Sequence, residues 1–177
     1  MKGHRNLLAI LLTAPLSNPY VLAAPAAERL VPTQPVSFRG VGPVRVGMTF
    51  KELRRELGEV ELEDKSGEMS CNFAHLPRSR WGISWMLIYG RVARTDVDER
   101  GFATVSGARV GDSEARVLSL YKGRVIVGPH TYVENWHYLT VLSPDGKSML
   151  VFETDGSRVM GYRIGRSPEA GFVEGCT

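Results

Sequence analysis

Beyond residue 16 the chain has no long apolar run, it has two cysteines in 177 residues, and most of its small excess of positive charge lies at its start. Each shortage excludes something. The apolar run Leu7–Leu16 is too short to cross a bilayer, and Pro15 and Pro19 would break a helix there. Lys2, His4 and Arg5 precede it, and Val21 and Ala23 supply the small residues of a cleavage site. Residues 1–23 therefore read as a secretory signal peptide and not as an anchor. No cysteine lies near that cleavage point, so a lipid anchor on an N-terminal cysteine is not expected.

The 22 basic side chains exceed the 19 acidic ones, but Lys2 and Arg5 belong to the signal. Cleavage would leave 20 against 19, so the computed pI near 9.0 is partly a property of the signal. Such a chain carries no whole-molecule field for nucleic acid or membrane surfaces. Two cysteines in an exported domain point to one disulfide, Cys71–Cys176. No stretch has the spacing of a known nucleophile, metal or phosphate motif.

What is present is a repeat. Gly40–Gly58 reads as a short strand, a glycine turn, a capped helix and a glycine stop, and the pattern returns 64 residues later in Gly107–Gly123. At that offset Arg45 falls on Arg109, Val46 on Val110, Gly47 on Gly111, Thr49 on Ser113, Leu53 on Val117 and Leu57 on Tyr121. Thr49 and Ser113 are N-cap residues, and Glu52 completes a capping box in the first copy. Phe50, Leu53 and Leu57 form an apolar stripe, and a helix so short needs a sheet beneath it.

Strand and turn signals follow each helix: Ile83–Tyr89 and Arg91–Val97 in one part, Tyr138–Leu142, Met149–Phe152 and Val159–Ile164 in the other. Tyr132–Val133 is a further strand candidate, and Glu59–Met69 reads as a loop. Arg91-Val92 corresponds to Arg158-Val159 at an offset of 67. Val92 and Val97 cannot share a face of a regular strand, which leaves that register open. The expected fold is α+β: two similar halves, each a short helix packed on a small antiparallel β-sheet. The divisions are a signal peptide 1–23, a flexible leader 24–39, a first repeat 40–100, and a second repeat 101–177 with a C-terminal tail. The expected core includes Val46, Phe50, Leu53, Leu57, Leu87, Val110, Val117, Tyr121, Leu150 and Phe152.

The Gly-Met-Thr turn at 47–49, followed by the Leu-x-x-x-Leu-Gly helix ending at Gly58 and a meander, resembles the SmpA/OmlA (BamE-like) module of bacterial envelope proteins. Its tandem form is similar to the architecture of β-lactamase inhibitor proteins. Asp112 replaces Met48 in the second copy, and the lipobox of the anchored members is missing. The resemblance implies a non-catalytic protein-binding role in the periplasm or outside the cell, with another protein of the envelope or extracellular space as partner and no cofactor.

Four residues are the binding candidates by type and position: Arg78, Arg80 and Trp81 in one loop, and Trp136 in another. The alternative is a small hydrolase or metal protein using His130, Glu134 and His137, although the flanking residues favour strand and turn over the helix that would align them. Cys71 beside His75 is a nucleophile–base pair only if Cys71 is free. Residues Arg78–Arg94 form a basic stretch suited to an anionic small molecule.

Overall fold

The computed structural model describes residues 30–66, 70–77 and 82–176. Strands β1 (Val36–Ser37), β2 (Gly40–Val41) and β3 (Val44–Arg45) form a three-stranded antiparallel sheet. Helix α1 (Phe50–Leu57) follows, then β4 (Glu61–Leu62), β5 (Cys71–His75), β6 (Ile83–Ile88) and β7 (Arg91–Val97). Helix α2 (Glu114–Leu120) leads into β8 (Val125–Pro129), β9 (His137–Leu142), β10 (Ser148–Thr154) and β11 (Val159–Arg166), with a 3-10 turn at Glu169–Gly171.

The two meanders are one sheet. Strand order is β4-β5-β6-β7-β11-β10-β9-β8, and the join is an antiparallel pairing of β7 with β11, from Tyr162 opposite Val97 to Gly165 opposite Arg94. This overturns the expected α+β arrangement of two helix-on-sheet halves. The fold is mostly β, with two helices of eight and seven residues among the described elements. The reason is the join itself: each half ends in a strand whose outer edge the other half's last strand can pair, and one long sheet leaves fewer open edges than two short ones.

The helices begin as their sequences dictate. Thr49 Oγ1 accepts from the Glu52 amide at 3.2 Å while Glu52 Oε2 accepts from the Thr49 amide at 2.8 Å. Ser113 Oγ accepts from the Arg116 amide at 3.2 Å, without the reciprocal bond, since residue 116 is not acidic. Before each cap a glycine turns with positive φ, +90° at Gly47 and +87° at Gly111, where a side chain would be strained. The turns are bonded alike. The Gly47 amide donates to Val92 O and Gly111 to Val159 O, while Val92 returns a bond to Met48 O and Val159 to Asp112 O. Arg91 Nη1 donates to Gly47 O and Arg158 Nη1 to Gly111 O, each at 3.0 Å.

Bulges settle the register left open by Val92 and Val97. Leu87 pairs with Val92 but Met86 pairs with Arg94, so Ala93 is an extra residue on β7. The inserted residue resets the alternation, and both valines reach the core. Met160 is likewise extra on β11, between Val159 opposite Thr154 and Gly161 opposite Glu153.

The core lies between the helix-bearing face of the long sheet, the two helices and the three-stranded sheet. Leu53, Leu57, Val117 and Tyr121 pack there with Trp85, Leu87, Leu139, Leu150 and Phe152, all buried. Phe50 and Val110 pack against it while partly exposed, and Val46 is half-buried in a turn. Leu30 and Val36, within the stretch read as a leader, are fully buried. Tyr132–Val133 lies in a bend and not a strand, and the loop after α1 contains β4. Among the described residues no helix is long and apolar enough to cross a membrane. The signal-peptide reading of 1–23 and the leader residues up to 29 lie outside the described residues.

Candidate functional site

The other face of the long sheet carries charge. Alternation puts Arg94 and Asp96 of β7, Arg163 of β11, Glu153 of β10 and Tyr138 of β9 on that side. The register sets Arg163 opposite Asp96 and Glu153 opposite Tyr138. Arg94 and Arg163 are only 4% and 8% exposed. A buried cation is costly unless it is paired and hydrogen-bonded on every side. Arg94 Nε meets Asp96 Oδ2 at 2.9 Å, and Arg163 Nη1 meets Glu153 Oε2 at 3.4 Å. Burial pushes the Asp96 carboxyl above its ordinary range, against the pull of Arg94 and Arg163.

The remaining guanidinium donors hold the C-terminal tail. Arg94 Nη1 donates to the main-chain oxygens of Phe172 (2.7 Å) and Glu169 (3.2 Å), and Arg163 Nε donates to Ala170 O at 2.9 Å. Arg166 pairs with the Glu169 carboxylate. The Cys71–Cys176 disulfide, with Cα atoms 5.3 Å apart, fastens the end of the tail to β5. The paired cysteines were legible in the sequence; Cys71 is therefore not a thiol, and the Cys71–His75 nucleophile reading falls.

Beside the tail stands the loop from His130 to Trp136. The His130 ring, its side chain 7% exposed, stacks on Tyr138 with centroids 4.7 Å apart. Its Nδ1 accepts from the Tyr132 and Val133 amides, each at 3.0 Å, so Nε2 carries the proton that meets Glu153 Oε1 at 3.2 Å. Asn135 closes the bend with φ +65°. Trp136 is half-buried and packs edge-on against His130, 5.6 Å between centroids. The Tyr132 hydroxyl donates to Glu174 of the tail, a bond that holds the phenol above its ordinary value.

Loop and tail enclose a groove of about 430 Å³, lined by Cys71, Ile88, Tyr132, Phe172, Val173, Glu174 and Gly175. Apolar side chains stand open around it: Tyr132 is 63% exposed, Phe172 41%, Val133 40% and Val173 37%. The arrangement suits contact. Rigid aromatic and branched groups are offered to a partner, with Glu174 as a polar handle.

The residues predicted from sequence divide. Trp136 belongs to this loop, while Arg78, Arg80 and Trp81 lie outside the described residues. His130 has both ring nitrogens engaged, and His137 turns to α2, its Nδ1 2.8 Å from Glu114 Oε1. Glu134 lies in the exposed bend. Among the described residues no three His, Cys, Asp or Glu side chains gather as metal ligands would. Of the basic stretch, Arg94 is committed to the tail and Arg91 to the Gly47 turn. Sequence reasoning missed the tail residues 169–175, whose only signal was Cys176.

Neither a family model nor a curated protein sequence matches this chain. Among solved structures it is similar to the uncharacterised protein YfeY of Escherichia coli, with 14% identity, a TM-score of 0.48, and 75% of this chain and 99% of that one covered. It is also similar to an extracellular SCP-domain protein of Bacillus anthracis, with 10% identity and a TM-score of 0.47. That match covers 89% of this chain and spans half of the other.

Proposed function

We propose that this chain is an exported, non-catalytic protein-binding module of the bacterial envelope or extracellular space, acting as an inhibitor or assembly accessory. The observation that carries the reading is the groove between the 130–136 loop and the C-terminal tail. Its open apolar groups are mounted on buried ion pairs and a disulfide, so little ordering cost remains to be met on binding. The disulfide suits an oxidising compartment, and the N-terminal segment reads as a route to one. The resemblance of Val46–Gly58 to envelope modules supports the same direction.

The test is capture from envelope extract with identification by mass spectrometry, run beside Tyr132→Ala and Phe172→Ala. One captured protein should bind the wild type and be weakened by about 2 kcal/mol, roughly 30-fold, by at least one variant, with the melting temperature unchanged. Turnover of an ester, peptide or glycoside by the purified protein, lost in His137→Ala, would replace this reading with the catalytic one.

A further inference from the structure

One wall of the groove is a bend held by a ring that can take up a proton. Residues 131–135 are exposed, so packing does little to fix them. His130 Nδ1 accepts from the Tyr132 and Val133 amides, each at 3.0 Å. An Asn or Asp side chain closes a turn in the same way, by accepting from amides just ahead of it. The ring is 7% exposed and stacks on Tyr138 at 4.7 Å. Its other nitrogen, Nε2, donates to Glu153 Oε1 at 3.2 Å.

That arrangement accommodates one proton on the imidazole and not two. A proton on Nδ1 would face two N–H donors at hydrogen-bond distance, and both bonds would be lost. The groups around the ring pull both ways. Glu153 of β10 favours the cation, but it is 31% exposed and already shared with Arg163 of β11, 3.4 Å away. The added attraction is that of a screened, divided pair. Tyr138 of β9 offers the face of its ring, yet the Arg163 guanidinium already lies over that ring, 5.3 Å from its centroid. A second cation there would meet a like charge. Asp98 and the Arg94–Asp96 pair continue the charged network beyond Glu153. From the tail, Glu174 is engaged with the Tyr132 hydroxyl, and Glu134 of the bend is exposed. Tyr132 and Trp136 meet the ring edge-on. None of these groups replaces the acceptor that the two amides would lose.

We propose that His130 is a proton-operated latch on the groove: the neutral ring closes the 131–135 bend, and the protonated ring releases it. The closed form holds one proton fewer at His130 than the released form. It is therefore favoured as pH rises, and lost as pH falls through the range below about 6.5 in which an imidazole ordinarily charges. Release costs the two amide bonds, while the His130 amide keeps its bond to Trp136 O at 2.9 Å. The β8–β9 pairing stays, and the motion is confined to the bend. Tyr132, which lines the groove and reaches Glu174, moves with it. Resting on the groove as the binding surface, this makes capture of a partner strongest at neutral pH and weaker in mild acid.

Nuclear magnetic resonance of the isotope-labelled protein from about pH 8 to about pH 5, spanning the ordinary imidazole titration, tests this without any partner. The Tyr132 and Val133 amide signals should move from hydrogen-bonded to free positions with the same midpoint as the His130 ring protons, while the Leu150 amide of β10 stays in place. His130→Asn keeps an acceptor for the two amides and has no proton to gain, so its signals should stay at the hydrogen-bonded positions throughout. Asp96, Asp98, Glu153 and Glu174 are intact in that variant, so a response that survives in it overturns the proposal. His130→Leu offers no acceptor and should show the released positions already at about pH 8. The wild-type titration decides if either variant does not fold. Amides that hold still while the ring takes up its proton overturn the proposal, as does a ring that stays neutral down to about pH 5. In the capture experiment, mild acid should release the captured protein from the wild type and not from His130→Asn. A full titration response with no protein captured supports the latch and counts against the groove as a binding surface.

Discussion

Gly165 shows how much one missing side chain can decide. It lies on β11 opposite Arg94 of β7, at the join of the two meanders, and a Cβ there would run into the Ala93 carbonyl and the Arg94 backbone. Gly165→Ala should therefore destabilise the protein by about 1–3 kcal/mol, as overpacked sites do. Gly128→Ala, on the open edge strand with nothing near its Cβ, should shift stability by no more than about 0.5 kcal/mol. Urea denaturation of the two variants checks the contrast; equal losses would mean that the β7–β11 join does not set the spacing. Nothing in the sequence distinguishes these two glycines, because the atoms that crowd Gly165 come from about 70 residues away. The cap residues, by contrast, were legible because their partners are three positions along the same chain.

The turn–helix elements carry a pH dependence. Hydrogen bonds from the Thr49 amide and hydroxyl hold the Glu52 carboxyl below its ordinary value of 4.5. A lowered carboxyl stabilises the fold above that ordinary value, and the contribution is lost as pH falls through the folded-state pKa. Thr49→Ala should cost about 1 kcal/mol at neutral pH. The difference between wild type and Glu52→Gln in thermal melts should be largest above pH 4.5 and shrink on acidification. A difference that grows toward acid pH would contradict the capping box. Strands β6, β7, β9, β10 and β11 were legible from alternation and turn residues, whereas β1 and β4 fell in stretches read as leader and loop, and Tyr132–Val133 is a bend. The bulges at Ala93 and Met160 were not legible, because a bulge is defined by two residues opposing one on a partner strand. The pairing of β7 with β11 was illegible for the same reason, and the expected pair of separate sheets failed there.

At the scale of the whole molecule, the disulfide and the buried arginines act on one segment. Cys71 and Cys176 are 105 residues apart, and closing so long a loop stabilises the fold by about 4–5 kcal/mol in the chain-entropy account. Reduction should lower unfolding free energy by about that amount, and thiol titration of the unreduced, denatured protein should find no free thiol. Two reactive thiols would remove the tail's fastening. The sequence pointed to this pair through the even cysteine count, yet not to what the tail covers. The site emerged only where Arg94 and Arg163, distant in sequence from Phe172 and Glu169, were seen to bind tail carbonyls.

The claim that the loop–tail groove is the binding surface is tested most directly by amide hydrogen exchange of the purified protein, alone and saturated with the protein it captures. Protection should rise in residues 130–136 and 169–176 and stay unchanged around α1. Protection confined to α1 and its neighbouring turn, with the loop and tail exchanging as in the free protein, would contradict it.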